Sequence, residues 1–230
     1  MDKKKLAGEQ AATYIEEGMI LGLGTGSTVY WTIQKLGELV KQGLRIKGIP
    51  TSKATEQQAR ELGIPILDIS EVQEIDLTID GADEVNPHFA LIKGGGGALF
   101  REKMVASLSR RLLIVVDDSK VVNTLGKFPL PVEVVPFGWE ITSRNIAKLG
   151  CSPELRLHTA GPFITDNGNY ILDCYFTEIQ HPEVLNEQLT KIIGVVETGL
   201  FVNMAEMIIV GGDNGVSVRS IPMQSEAANE

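Results

Sequence analysis

Asp80, Asp83 and Glu84 lie close together, and Lys93 stands directly ahead of four glycines, Gly94 to Gly97, with Arg101, Glu102 and Lys103 just beyond. Three carboxylates and an ammonium on glycine-bearing loops set acid–base groups beside backbone that a ligand can approach without Cβ obstruction. The chemistry these residue types serve is proton transfer on a small polar molecule. Lys93, with the amides of Gly94 and Gly95, reads as a stabiliser of an oxyanion. A flexible hinge is the plainer reading of the same glycines, which cost about 0.5–1 kcal/mol each relative to alanine in regular structure. Glu102 is a candidate base only because of this company. Lys120, in Asp117-Asp118-Ser119-Lys120, and Lys4 and Lys5 read either as ligand contacts or as solvated lysines.

A second glycine-bearing segment, Gly22-Leu23-Gly24-Thr25-Gly26-Ser27-Thr28, sits between an apolar run and a helical pattern. Unpaired N–H groups and the helix dipole favour an anion there, aided by three hydroxyls. Neither nucleotide fingerprint is met. The dinucleotide pattern needs glycine where Ser27 stands, and the P-loop needs lysine after its last glycine. An anion site or a tight structural turn remains. The acidic cluster also admits a solvated turn or a magnesium site, but magnesium usually enlists nucleotide phosphates as co-ligands. No metal or cofactor is expected. His88, His158 and His181 are scattered, without metal spacing or a nucleophile motif nearby.

The elements that must position these groups follow from periodicity. Met19 to Gly24 is a strand, and Val29, Ile33, Leu36 and Val40 recur at helical spacing. Strands are then expected at Ile46–Ile49, Ile64–Ile69, Ile75–Asp80 and Leu112–Asp117, with a capped helix opening at Thr51-Ser52 and another carrying Phe100, Met104 and Leu108 as its apolar stripe. Such alternation predicts an α/β fold, a mostly parallel Rossmann-like sheet with helices on both faces and ligands at the carboxyl ends of the strands. From Gly126-Lys127-Phe128-Pro129-Leu130-Pro131 the order becomes strand 132–135, helix 141–149, strand 155–158, a hairpin through Asn167-Gly168, strand 170–176, helix 182–193 and strand 195–200. That is a ferredoxin-like α+β order. Strands at 207–210 and 216–221 are expected to rejoin the first sheet. The division predicted is a catalytic domain of residues 1–126 with 201–230, and an inserted domain of residues 127–200. Gln224–Glu230 is expected to fray.

Composition narrows the partners. The chain has 230 residues, 43% of them hydrophobic, and a formal charge of −9, which disfavours nucleic acid and anionic membrane. Two cysteines, Cys151 and Cys174, are no disulfide framework and suggest a reducing cytosol. Met1–Lys5 resembles the start of a signal peptide, but Glu9, Gln10, Glu16 and Glu17 interrupt its apolar core, so a cytoplasmic protein is expected.

Taken together, these residues resemble the A-type ribose-5-phosphate isomerase family along nearly the whole chain. The pieces that carry the resemblance are Gly22–Thr28, Asp80–Glu84, Leu91–Gly96, Arg101–Lys103, Gly126–Val134 and Thr165–Asn169. The resemblance implies interconversion of D-ribose 5-phosphate and D-ribulose 5-phosphate through an enediolate, without metal or organic cofactor, by a dimer or tetramer. It places the family's base on Glu102, its ring-opening and proton-shuttling aspartates on Asp80 and Asp83, its oxyanion-stabilising lysine on Lys93, and its phosphate loop on Thr25, Gly26, Ser27 and Thr28. Gly94, Gly95, Lys120 and Lys4 take the remaining sugar or phosphate contacts, with Lys5 as the alternative to Lys4. Two rivals are a coenzyme A transferase with a glutamate nucleophile and a sugar-phosphate-sensing regulator, for which no basic helix-turn-helix is evident.

Overall fold

The computed structural model describes residues 2–221. It opens with a helix, α1 (Lys3–Ala11), capped by Asp2, whose carboxylate accepts from the Lys4 and Lys5 amides at 3.0 and 3.3 Å. Then come β1 (Ile20–Leu23), α2 (Val29–Lys41), β2 (Lys47–Pro50), α3 (Lys53–Glu61), β3 (Leu77–Gly81), β4 (Glu84–Val85), β5 (Leu91–Ile92), α4 (Leu99–Ser107) and β6 (Leu112–Asp117). The second part contains β7 (Leu130–Val134), α5 (Trp139–Ala147), β8 (Ser152–Leu155), β9 (Leu157–His158), β10 (Gly161–Pro162), β11 (Tyr170–Tyr175), α6 (Pro182–Thr190), β12 (Val195–Thr198), β13 (Leu200–Phe201), β14 (Met207–Gly212) and β15 (Gly215–Ser220).

The large sheet has the order β15-β14-β6-β3-β1-β2, parallel except for the β14–β15 hairpin. Its central strand β6 is buried along its whole length, as a continuous apolar run in a sheet covered on both faces should be. The chain moves one way from β1 to β2 and then the other way through β3, β6 and β14. Strand order therefore reverses between β1 and β3, and a crevice opens there at the carboxyl ends. The α/β expectation holds.

A four-stranded antiparallel sheet, β12-β7-β11-β8, carries α5 and α6 and has ferredoxin-like order. A three-stranded sheet, β13-β5-β4, links it to the large sheet, with β13 pairing back onto β5 one residue after β12 ends. The apolar cores of the two larger sheets are separate clusters, one around Leu21, Ile33 and Leu113 and the other around Val132, Leu172 and Leu189.

Several expectations need correction. Residues 64–69 form no strand. Ile66 makes a single parallel bridge to Gly48 on the outer edge of β2, and the pairing stops there because the chain turns at Asp68, whose side chain caps the 3-10 turn Ile69–Glu71. The stripe assigned to α4 is also wrong. The buried face is Leu99, Glu102, Val105 and Ala106, while Met104 is 43% exposed. The strand expected at 155–158 breaks at Arg156 into β8 and the β9–β10 ribbon, which precedes the turn at Asn167-Gly168. α1, β4 and β5 were not anticipated. Gln224–Glu230 lies outside the described residues.

Candidate active site

Three loops meet at the crevice between β1 and β3. The first, Gly24–Thr28, runs from β1 into α2, and the amides of Gly26, Ser27 and Thr28 have no acceptor among the described residues. These donors at the positive end of a helix dipole form an anion cradle. The loop is anchored from below by Asp80, whose Oδ1 accepts from the Thr25 and Gly81 amides at 3.0 and 2.7 Å. Gly24 is required here, since a Cβ would come within 2.2 Å of Asp80 Oδ1. One of the three expected hydroxyls is committed elsewhere. Thr25 Oγ1 joins Thr51, Ser52 and Thr55 in a hydroxyl cluster at 2.7, 2.8 and 3.1 Å, which ties the loop to the start of α3.

The second and third loops carry the charged groups. Asp80 lies near the end of β3, Lys93 directly follows β5, and Glu102 occupies the first turn of α4. All three are buried, at 1%, 2% and 4% exposure. Lys93 Nζ is 3.1 Å from Asp80 Oδ2, an ion-pair distance without hydrogen-bond alignment, and 3.3 Å from Glu102 Oε1. The ammonium also donates to the Gly81 carbonyl and lies over the Phe201 ring at 5.3 Å. Glu102 Oε2 has no hydrogen-bond partner among the described residues.

Two carboxylates share one ammonium in a site without bulk water, so one negative charge is in excess. Burial pushes the Glu102 carboxyl from 4.5 up to about 8, with the Asp80 charge adding to the rise and Lys93 opposing it. Lys93 is itself held above its ordinary value: burial lowers it, but Asp80 and Glu102 together outweigh that. A carboxyl poised near neutrality can both take and return a proton.

Lys93 and Glu102 open onto a cleft lined by Lys4, Thr25–Thr28, Gly81–Asp83, Lys93–Gly96, Glu102 and Lys120. Of the residues to which the resemblance gives a role, Asp80 and the alternative lysine, Lys5, are not on the cleft wall; Asp80 sits behind it, against Lys93. Asp83 Oδ2 accepts the Gly95 amide at 2.7 Å. Lys4 Nζ donates to Ser27 Oγ at 2.9 Å, whereas Lys5 turns away to Glu9 at 3.8 Å and the Trp31 ring. Lys120 ends the 3-10 turn after β6. Glu84 is not part of the site. Its buried carboxylate accepts the Gly126 and Phe128 amides at 2.8 and 2.6 Å and fixes the chain entering β7. All three histidines are exposed and away from the cleft, and both cysteines are free thiols.

Sequence reasoning set the Gly81–Glu84 turn on the rim, but it gave Gly96 no role of its own and missed Arg156, which reaches the glycine loop from the small sheet. Arg156 follows β8 with no motif around it that announces a role. Among the described residues there is no cluster of His, Cys, Asp and Glu able to hold a metal ion, and no helix long and apolar enough to cross a membrane.

Comparison with known proteins shows the family and the fold. The family model for ribose 5-phosphate isomerase A (phosphoriboisomerase A) matches residues 47–215. Ribose-5-phosphate isomerase A 1 of Oceanobacillus iheyensis is 55% identical over 217 residues, covering 94% of this chain and 97% of that protein. Ribose-5-phosphate isomerase A of Bacillus cereus is 57% identical, with 94% and 99% covered. Among solved structures, a D-ribose-5-phosphate isomerase in complex with phospho-erythronic acid superposes with a TM-score of 0.94 at 40% identity, covering 96% of this chain and 98% of that one. Ribose 5-phosphate isomerase A from Methanocaldococcus jannaschii gives 0.92 at 37% identity, covering 96% and 99%.

Proposed function

The chain belongs to the ribose 5-phosphate isomerase A family, and on that premise we propose how its own residues carry out the aldose–ketose isomerisation of the pentose phosphate pathway. The substrate pair is D-ribose 5-phosphate and D-ribulose 5-phosphate. Glu102 takes the proton from C2 of the open-chain aldose and returns it to C1, passing through an enediolate. The charge that develops on the carbonyl oxygen falls to the Lys93 ammonium and to the amides of the Gly94–Gly96 segment other than that of Gly95, which Asp83 holds. Asp80 and Asp83 move the hydroxyl protons of ring opening and of the enediolate. The phosphate lies in the Thr25–Thr28 cradle, with Gly26 and Ser27 amides as donors and Lys4 and Lys120 as counter-charges. Ring opening breaks the bond between C1 and the ring oxygen as a proton leaves the anomeric hydroxyl and another reaches the departing oxygen; the later steps are proton transfers, and these side chains can serve them all without metal or organic cofactor.

The observation that carries this reading is the buried Asp80–Lys93–Glu102 cluster, whose Lys93 and Glu102 line the same cleft as an anion cradle. A base of raised pKa, an oxyanion donor and a phosphate anchor are what proton abstraction next to a carbonyl requires. Incubation of the purified chain with ribose 5-phosphate in D₂O, followed by NMR, should show ketose formation with deuterium entering C1. Absence of ketose would reject the reading.

The chemistry is assigned to residues 1–126 with 201–230, and residues 127–200 form the inserted unit that supports it. Assembly as a dimer or tetramer and a cytoplasmic location belong to the same proposal. Phe137 and Ile193, 95% and 92% exposed, are surface that assembly would cover; mass in solution tests it.

A further inference from the structure

Arg156 stands at the break between β8 and β9, and its backbone is held on both sides. Its N–H donates to the Ile171 carbonyl at 2.8 Å, and its carbonyl accepts from the Phe163 amide at 2.8 Å. The side chain is only 14% exposed. Asp173 on β11 takes the guanidinium in a bidentate pair, accepting from Nε at 2.9 Å and from Nη2. The Phe163 ring packs 5.7 Å from the guanidinium carbon. What remains, Nη1, leaves the small sheet and donates to the carbonyls of Gly94 at 2.9 Å and Gly95 at 3.1 Å.

Those two carbonyls lie between Lys93 and Glu102. In a trans peptide the C=O and the following N–H point in opposite directions. Turning the Gly94 carbonyl to Arg156 therefore turns the Gly95 N–H the other way, where it donates to Asp83 Oδ2 at 2.7 Å. Turning the Gly95 carbonyl likewise directs the Gly96 N–H away from Arg156, where it meets no protein acceptor among the described residues, and Gly96 lines the cleft. One guanidinium fixes two successive peptide planes. Glycines would otherwise rotate with little penalty.

We propose that Arg156, held by Asp173, is a positioning residue of the isomerase site. It locks the Gly94–Gly96 backbone so that the Gly96 amide is presented to the substrate oxyanion and Asp83 stays tied to Gly95. The inference rests on the isomerase reading above. It requires the planar fork of arginine, because a lysine has a point donor that cannot engage Asp173 and both carbonyls together.

The test compares wild type, Arg156→Met and Arg156→Lys in ribose 5-phosphate turnover, in inhibition by 4-phosphoerythronate, whose carboxylate mimics the enediolate charge, and in inhibition by inorganic phosphate. Arg156→Met should lose roughly 10–100-fold in kcat, the scale of a slight misplacement of catalytic groups. Affinity for 4-phosphoerythronate should fall in parallel while that for inorganic phosphate holds. Guanidinium ion at millimolar concentration should restore part of kcat, and Arg156→Lys should remain impaired. Undiminished kcat in Arg156→Met, or equal losses for the two inhibitors, overturns the proposal. A wild type inactive in the same assay sinks the isomerase reading instead. Should Arg156→Met fail to fold, Asp173→Asn decides by the same split between inhibitors: a loss confined to kcat and the phosphoaldonate supports the role, and no loss overturns it.

Discussion

Glu102 shows how little a residue's type says and how much its surroundings do. On a bare helix surface it would be an ordinary acid. Buried at 4% exposure beside Asp80, with one ammonium between them, its carboxyl rises to about 8. Because the base works deprotonated, kcat/KM should fall as pH drops through about 8, far above the ordinary glutamate value of 4.5. A rate profile already flat by about pH 6 would contradict this account. Glu102→Gln keeps the shape and removes the base, so turnover should drop by about 10²–10⁴ while binding of 4-phosphoerythronate is largely kept. Near-normal turnover in the purified variant would exclude Glu102 as the proton carrier. The grouping of Asp80, Asp83, Lys93 and Glu102 was legible in the chain because glycines and charges concentrate there. The commitment of the Thr25 hydroxyl to Thr51, Ser52 and Thr55 was not, since it depends on which way α3 enters.

α1 delivers Lys4 to the cleft, and it does so by lying against the large sheet through residues too small to announce themselves. Its buried face is Ala7, Gly8 and Ala11, which leaves no apolar periodicity to read. Close approach also explains its seat on β14, where a Cβ at Gly211 would come within 1.9 Å of the Lys3 carbonyl oxygen. Gly211→Ala should therefore push the helix outward, raising KM for the sugar phosphate with a smaller change in kcat, and costing about 1–3 kcal/mol of stability. An unaltered KM would show that Lys4 does not depend on this seat. By contrast β1, the glycine loop, α2 and β6 were readable, because continuous apolar strands and a strongly amphipathic helix leave clear patterns. The two-residue strands β4 and β5 were invisible for the opposite reason: each is too short to show a pattern, and β5 is held between its neighbour β4 and β13, which is distant in sequence.

The whole molecule carries the cost of the charge cluster. A glutamate whose folded pKa exceeds its unfolded value binds more protons in the folded state, so its favourable contribution is complete below 4.5 and is lost as pH rises to about 8. Lys93, raised from 10.5, contributes a loss only at more alkaline pH, while Lys103 and Cys151, both lowered, act in the opposite sense, so the share of Glu102 is read from its comparison with Glu102→Gln. Denaturant unfolding from about pH 5 to about pH 9 should show wild-type stability declining over that window and Glu102→Gln declining less. Parallel curves for the two proteins would refute the linkage. The passage between the small sheet and the large one is equally constrained. Gly199, between β12 and β13, accepts the Lys93 amide at 2.8 Å and donates to the Pro131 carbonyl at 2.7 Å. A Cβ there would sit 2.3 Å from the Lys93 carbonyl oxygen. A clamshell swing at this joint would have to strain two backbone bonds beside the residue that bears the ammonium. The hinge pin and the catalytic cation share one stretch of chain, so whatever loosens the first is felt at the second.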